Sequence, residues 1–271
     1  MISFSKYQGA GNDYLVIEVA EVADVLTPAL IQTVCDRHCG VGSDGILLGP
    51  LPSALADFRL QIFNPDGSEA EKSGNGLRIF SRYLWDKGLV GNDAFTLETA
   101  GGIVRSQVAA DGRRVTVQMG RISFLNEDVL QEVVLNGRPF LIAPVSIGNP
   151  HCVAVLDAVN AELAHTYGPL LERHSLFPKR TNVQFMQVLD RNNIRIEIWE
   201  RGAGYTLSSG SSSCAAAAVA VKLGLCDTAV SSHMPGGIIE IELDETFQAT
   251  MSGPVTAVYR GTMAEETVNN E

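Results

Sequence analysis

The sequence is poor in basic side chains, in aromatic residues and in long apolar runs. Its 271 residues include 31 acidic but only 20 basic side chains, and the formal net charge is −11. Nucleic acids and anionic membrane surfaces are bound through clustered Lys and Arg, so this balance excludes both as electrostatic partners. The longest apolar run, from Cys214 to Val221, is too short to span a bilayer. A small molecule or another protein is the expected partner.

Signals for secretion and for disulfide formation are also missing. The first residues lack the basic head, apolar run and cleavage site of a secretory signal. Five cysteines, an odd number, stand at positions 35, 39, 152, 214 and 226 without a framework spacing, which is typical of a reducing compartment. We therefore expect a soluble cytoplasmic protein. Cys35, His38 and Cys39 could share a helical face as metal ligands, but no fourth ligand is evident, and a helix with half-buried thiols is the favoured interpretation.

A long internal repeat is present instead of any short period. Three features recur in the same order at nearly one offset. A Gly-Asn step before an apolar run ends at Asn12 and again at Asn149 (149 − 12 = 137). A polar residue ends an alternating strand at Asn64 and again at Glu200 (200 − 64 = 136). A Ser-Gly step before a run of small residues begins at Ser73 and again at Ser209 (209 − 73 = 136). The sequence therefore predicts two pseudo-equivalent halves.

The predicted secondary structure agrees with this division. Apolar and polar residues alternate over 58–62, 115–119, 194–198 and 239–243, as in half-buried strands, and a turn at 110–112 predicts a hairpin before the second of these. Helices are predicted over 28–39, 75–88, 160–173 and 211–223. Because strands and helices do not alternate regularly, the expected fold class is mixed α/β of the α+β kind, with two related domains.

The two Ser-Gly steps, at Ser73 and Ser209, each open a predicted helix with small residues. The free N–H groups of such a helix start suit a carboxylate or a phosphate, and the simpler alternative is that each serine is an ordinary N-cap. If the halves are pseudo-symmetric, both helix starts converge on one cleft between the domains. Polar residues beside the apolar runs suit an amino-acid-like substrate with several polar heads: Asn64, Asn149, His151, Asn182, Glu200 and Arg201.

Eight longer stretches carry a family resemblance and run in order over nearly the whole chain. They are GAGND (9–13), RHCGVGSDG (37–45), FNPDGSE (63–69), GNGLR (74–78), GNPHC (148–152), NVQF (182–185), ERGAG (200–204) and MSGP (251–254). With these stretches the chain resembles the diaminopimelate epimerases, which are cofactor-independent amino-acid epimerases of lysine and cell-wall biosynthesis.

The resemblance implies a particular architecture and chemistry. Residues 1–118 plus 255–271 would form one half and 119–254 the other, with the last strand, around 257–261, returning to the first half. An amino-acid substrate would bind in the cleft between them, without metal or pyridoxal phosphate, and a homodimer is a further expectation.

The resemblance also implies roles for individual residues. The reacting carboxylate would be held at the two helix starts by Gly74, Asn75, Gly210 and Ser211. The rest of the substrate would be held by Asn12, Asn64, Asn182 and Arg201, with Asn149 as a further binding residue. His151 and Glu200 would tune the two catalytic side chains.

The catalytic pair departs from the family pattern. The family uses two cysteines, one thiolate removing the α-proton and the other thiol delivering a proton to the opposite face, and here Ser73 and Ser209 stand at those positions. A serine hydroxyl has no accessible anion near neutral pH and needs a neighbouring base. Cys214 lies about one and a half turns into the second helix and is predicted to point away from its start.

Three explanations of the serines stay open: introduced Cys-to-Ser substitutions, a natural serine variant, and a binding protein that has lost the chemistry. Further departures from the family pattern, at Tyr205, Leu207, Ser208 and Ser212, favour the natural variant. In such a variant His151 or Glu200 could act as the base. A single base would favour dehydration or one-sided exchange, because inversion needs an acid on each face.

Overall fold

The computed structural model describes residues 1–22 and 26–268, and the chain divides into two compact units. The first unit comprises Met1–Val117 and Gly253–Glu271, and the second comprises Gln118–Ser252. Residues 269–271, at the end of the predicted first half, lie outside the described residues. Within the described ranges, no helix combines the length and apolar character that crossing a membrane requires.

Strands dominate both units. In chain order they are β1 (Ser3–Gly9), β2 (Asn12–Ile17), β3 (Ile46–Leu51), β4 (Phe58–Phe63), β5 (Glu69–Ala70), β6 (Phe95–Thr99), β7 (Gly102–Val108), β8 (Arg114–Arg121), β9 (Ser123–Phe124), β10 (Gln131–Leu135), β11 (Arg138–Ser146), β12 (Pro150–Val155), β13 (Asn182–Asp190), β14 (Asn193–Glu200), β15 (Gly204–Thr206), β16 (Ala229–Met234), β17 (Gly237–Leu243), β18 (Gln248–Pro254) and β19 (Thr256–Thr262). The helices are α1 (Val19–Val22), α2 (Pro28–Cys35), α3 (Gly74–Asp86), α4 (Ala161–Glu172), α5 (Gly210–Lys222) and α6 (Glu265–Val268).

The two units share one pattern of strand pairing. In the first unit the order is β19-β1-β2-β3-β4-β6-β7-β8, and the successive ladders are antiparallel, antiparallel, parallel, antiparallel, parallel, antiparallel and antiparallel. The second unit repeats this series of seven antiparallel and parallel ladders, in the order β10-β11-β12-β13-β14-β16-β17-β18. The predicted repeat and the mixed α/β fold class are therefore confirmed, and β19 pairs with β1 as the resemblance implied.

Each unit has one helix that is buried on nearly every side. Ten of the thirteen residues of α3 are buried, and so are ten of the thirteen of α5. Helix α3 contacts β1, β2, β3 and β7, and α5 contacts strands from β11 to β17. Small side chains let strands approach a helix closely, and α5 carries an unbroken run of alanines over 215–218 that is fully buried. Both helices begin one residue before the predicted start, at the glycine after the serine.

The second helix of the first unit is shorter than predicted. Helix α2 ends at Cys35 rather than near residue 39, because Asp36 has extended backbone angles (φ −63°, ψ 129°). The Asp36 carboxylate then accepts the N–H groups of His38 (2.7 Å) and Cys39 (2.6 Å), a turn that aspartate favours. Cys35, His38 and Cys39 therefore do not share a helical face, and the expectation of half-buried thiols is wrong because Cys35 is buried and Cys39 exposed.

Candidate functional site

The serine at the start of α3 is held by two hydrogen bonds. Ser73 is the N-cap residue, with extended backbone angles, and its Oγ accepts the N–H of Gly76 at 3.1 Å. The hydroxyl of Tyr14, on β2, lies 3.1 Å from the same Oγ. Ser73 therefore caps the helix, as its simpler interpretation predicts, and its hydroxyl also contacts a phenol that the sequence did not suggest.

A chain of amide contacts joins the start of β2 to the first turn of α3. Asn75 Nδ2 donates to Asn12 Oδ1 at 3.1 Å, and Arg78 Nη2 donates to Asn75 Oδ1 at 2.9 Å. Asn12 Nδ2 in turn donates to Asp44 Oδ2 at 2.7 Å. Asn75 and Arg78 are buried. The structure thus brings together Asn12 and Asn75, two of the residues that the sequence analysis predicted to bind substrate.

Ion pairs hold the first residues of β2 in place. Asp13 accepts from Lys6 Nζ at 2.7 Å and from Arg37 Nη2 at 2.6 Å, and Arg37 also reaches Asp44 at 2.8 Å. Burial raises the pKa of Asp13, but the hydrogen bonds from Arg37 and Lys6 outweigh it and the pKa is lowered. Burial raises the pKa of Asp44. The Asp44 carboxylate therefore orients Asn12 through a network in which both acids are hydrogen-bonded.

Asn64 follows β4 and organises the turn between β4 and β5. Its N–H donates to the Ser68 carbonyl at 2.9 Å, and its Nδ2 donates to the Ser68 hydroxyl at 3.0 Å. Gly67 N–H donates back to the Asn64 carbonyl at 3.0 Å. The Asn64 side chain is therefore held by its own turn, at the carboxyl end of its strand.

The start of α5 in the second unit is less constrained than the start of α3. Ser209 is the N-cap residue with extended backbone angles but makes no side-chain cap hydrogen bond. Its Oγ lies 3.5 Å from the Oγ of Ser211, and its side chain is buried. One turn later, Ser212 Oγ accepts from Gln184 Nε2 at 2.9 Å. Gly210, with no side chain, leaves the backbone of the first turn open to close approach.

His151 lies on β12 and is completely buried. Its Nε2 is 3.1 Å from Asn149 Oδ1. Burial lowers the pKa of His151 to about 4; the Gln184 side chain opposes this shift, and the positive charge of Arg201 adds to it. The imidazole is therefore neutral at pH 7. A base with so low a pKa is poorly matched to proton abstraction near neutral pH.

The turn after β14 carries Glu200 and Arg201. Asn182 Oδ1 accepts the N–H of Arg201 at 3.0 Å, and Asn182 Nδ2 donates to the Pro150 carbonyl at 3.0 Å. Asn182 therefore ties the turn to the first residue of β12. The side chain of Arg201 is exposed and that of Glu200 is half-buried. In the described ranges, no three metal-ligating side chains cluster in a way that could hold an ion.

The sequence analysis did not propose four residues that the structure places beside the predicted ones: Tyr14, Asp44, Arg78 and Gln184. One signal was available. Tyr14 stands at the repeat equivalent of His151, because 151 − 14 = 137, the offset that relates Asn12 to Asn149. Looking for the repeat equivalent of every predicted site residue would have identified Tyr14.

Solved structures share this fold at low sequence identity. A chain described as a "probable proline racemase" from Agrobacterium radiobacter K84 superposes with a TM-score of 0.74 at 18% identity, covering 100% of this chain and 95% of that one. A hydroxyproline epimerase from Agrobacterium vitis gives 0.72 at 16% identity, covering 96% and 91%. These matches establish the fold alone.

Sequence matches are much closer. The family model described as "Diaminopimelate epimerase" matches residues 4–125 and 144–258. The protein named diaminopimelate epimerase 2 from Nostoc sp. (strain PCC 7120 / SAG 25.82 / UTEX 2576) is 55% identical, with 98% of this chain and 96% of that protein covered. Diaminopimelate epimerase from Acidovorax ebreus (strain TPSY) is 39% identical, covering 96% and 97%. This chain therefore belongs to the diaminopimelate epimerase family.

Proposed function

We propose that this protein is an isomerase that interconverts LL- and meso-diaminopimelate by proton transfer at the α-carbon, with Ser73 and Ser209 at the two proton-transfer positions. The observation that carries the proposal is the 55% identity to the Nostoc protein over 98% of the chain. In the structure both serines are N-cap residues of long, buried helices. Such helix starts stabilise a carboxylate through their N–H groups and dipole.

The proposed binding roles rest on membership of the diaminopimelate epimerase family. Gly74 and Asn75 at one helix start, and Gly210 and Ser211 at the other, would bind the reacting carboxylate. Asn12, Asn64, Asn149, Asn182 and Arg201 would bind the remaining polar groups. Asn182 has committed one N–H and one lone pair to the backbone, and its amide retains one further N–H for a ligand. The exposed guanidinium of Arg201 suits a carboxylate in bidentate geometry.

The serines set the expected rate. A hydroxyl cannot supply an anion near neutral pH as a thiol can, so we expect activity well below that of a thiol enzyme. Glu200 is the better candidate for the base, because its half-buried side chain can be reached by a ligand, whereas the side chain of His151 is completely buried. His151 would then serve as a neutral hydrogen-bonding group beside the site.

Proton NMR of LL-diaminopimelate in deuterated water tests the proposal. The expected result is loss of the α-proton signal together with appearance of the meso isomer. Calorimetry on the same sample measures binding, so that a slow enzyme is separated from one that does not bind. Binding with no exchange over days would overturn the proposed reaction. The dehydratase alternative needs a substrate with a hydroxyl group that can leave as water, so it is tested separately with a β-hydroxy amino acid, from which a dehydratase would form a keto acid.

A non-catalytic amino-acid-binding protein is the second candidate, and one observation favours it. In the part of the chain that the structure describes, neither serine hydroxyl hydrogen-bonds with a carboxylate or an imidazole: Ser73 contacts Gly76 and Tyr14, and Ser209 contacts Ser211. A serine without a paired base is a weak proton acceptor. The exchange experiment separates the two functions, because a binding protein leaves the α-proton in place.

A further inference from the structure

A buried carboxylate lies behind the turn that carries Arg201. Glu172 is the last residue of α4, and only 3% of its surface is exposed. Its Oε1 accepts the N–H of Gly202 at 3.2 Å, and its Oε2 accepts the indole Nε1–H of Trp199 at 2.9 Å. Arg180 Nη1 lies 3.3 Å from Oε1. The carboxylate of Glu172, on α4, therefore hydrogen-bonds both to Trp199, which precedes the turn, and to Gly202, which lies within it.

The turn is held at two consecutive amides. The N–H of Arg201 donates to Asn182 and the N–H of Gly202 donates to Glu172, while Ala203 N–H donates to the Glu200 carbonyl at 3.2 Å and closes the turn. Both side-chain acceptors are buried. Buried side chains thus fix the backbone of the turn, and the Arg201 side chain is exposed.

The packing of α4 makes this contact close. A Cβ added at Gly168 would lie 2.6 Å from the Cβ of Trp199, so only glycine lets the helix approach β14 to this distance. A buried carboxylate is costly unless it is well hydrogen-bonded. Here three donors surround it, and two of them belong to the segment 199–202. Packing a helix against a strand does not require these three hydrogen bonds to a buried carboxylate.

We propose that Glu172 is a positioning residue that fixes the Glu200–Arg201 turn and so selects substrates with a second carboxylate. The selectivity part of this inference rests on the proposed function, in which Arg201 binds a carboxylate of diaminopimelate. Glu172 itself contacts only protein groups, and it acts by holding the backbone from which the guanidinium projects. A misplacement of about 1 Å in such a group can change binding or rate by orders of magnitude.

Ligand selectivity provides the first test. LL-diaminopimelate and L-lysine share the two amino groups and one carboxylate, and only diaminopimelate has the second carboxylate. In Glu172→Leu we expect the affinity for diaminopimelate, measured by calorimetry, to fall about tenfold or more, with the affinity for lysine unchanged. Glu172→Gln keeps an acceptor and should restore part of the loss. Glu162→Leu is the matched control, because it makes the same change at an exposed position of α4, and it should leave both affinities unchanged.

Amide exchange provides a second test that needs no ligand. In Glu172→Leu we expect hydrogen exchange at Gly202 to accelerate about tenfold or more relative to the wild type, with the amides in the middle of α4 unaffected. Should Glu172→Leu not fold, the same comparison is made in Glu172→Gln, together with the shift of the Trp199 indole proton. Unchanged exchange and an unchanged indole resonance would overturn the inference even if the wild type binds no diaminopimelate. Normal diaminopimelate binding in a Glu172 variant with a loosened turn would overturn the selectivity.

Discussion

The hydroxyl of Tyr14 lies 3.1 Å from the hydroxyl of Ser73, whereas its repeat equivalent, His151, hydrogen-bonds to Asn149. The two serines that occupy equivalent positions in the repeat are therefore held differently. Ser73 is fixed by a cap bond and a phenol, and Ser209 has no side-chain cap hydrogen bond. A pseudo-symmetric backbone thus supports two chemically distinct surroundings.

This difference predicts unequal structural roles for the two hydroxyls. Ser73→Ala should lower the free energy of unfolding by about 1 kcal/mol, because it removes a bonded N-cap. Ser209→Ala should lower it by only a few tenths of a kcal/mol, because no cap hydrogen bond is lost. Urea denaturation of the two variants and the wild type measures both effects. Equal losses would contradict the description of Ser209 as an N-cap without a side-chain bond.

Restoring thiols should restore proton transfer. In the double variant Ser73→Cys with Ser209→Cys, we expect the epimerase rate to rise by orders of magnitude, because a thiol pKa near 8.5 can be lowered at a helix N-terminus. Deuterium exchange at the α-carbon of diaminopimelate, followed by proton NMR, measures the rate. A folded double variant that is no faster would mean that the site is not built for this reaction.

The two single cysteine variants are the controls for that experiment. Inversion needs a proton acceptor on one face and a donor on the other, so either single variant should remain well below the double variant. Additive rates in the two single variants would argue against a two-base mechanism, since paired groups act as a unit.

Arg201 should decide whether a dicarboxylic ligand binds. In Arg201→Ala the charge-assisted bonds to one carboxylate are lost, and we expect calorimetry to detect no binding of diaminopimelate. Arg191→Ala is the control, because Arg191 is an exposed arginine of the same unit that pairs with Asp227. Unchanged affinity in Arg201→Ala would reject the proposed binding role.

The buried imidazole of His151 should make stability depend on pH. Its pKa is about 4 in the folded protein and ordinarily near 6.5, so between these values the unfolded chain binds a proton that the folded protein does not. The free energy of unfolding should therefore fall as the pH is lowered from 6.5 to 4, by up to about 3 kcal/mol from this residue.

An NMR titration of the His151 ring protons checks the pKa directly, and urea denaturation across the same window checks the stability. In His151→Gln the contribution of this residue should disappear, which leaves a shallower dependence on pH. A ring that titrates near 6.5 in the folded protein would contradict the assignment of a neutral, buried histidine.

The repeat and the helix starts were predictable because they depend on local signals. Glycine and small residues after Ser73 and Ser209 mark helix starts, and the constant offset of about 136 residues relates the two units. The end of α2 was mispredicted because an aspartate at position 36 offers its carboxylate to the next amides. A side chain that competes with the helical hydrogen bonds ends a helix before the apolar pattern does.

The repeat marks Tyr14 as a candidate residue, but which side chains contact one another could not be predicted from the sequence. Tyr14 and Ser73 are 59 residues apart, and Glu172 and Gly202 are 30 apart. The strand order brings such pairs together. β2 and β3 are parallel neighbours although α1 and α2 separate them in the chain, and β12 and β13 are parallel neighbours although α4 separates them. Local propensity carries no information on these contacts.

The pairing of β19 with β1 has a consequence for synthesis on the ribosome. Every strand of the second unit has emerged before β19, which pairs residues 256–262 with the opening strand. The first unit is therefore completed only after the second unit has been synthesised, and one edge of β1 stays without its native partner until β19 has left the ribosome. Open strand edges promote association between chains, so β19 protects a strand edge that was synthesised long before it.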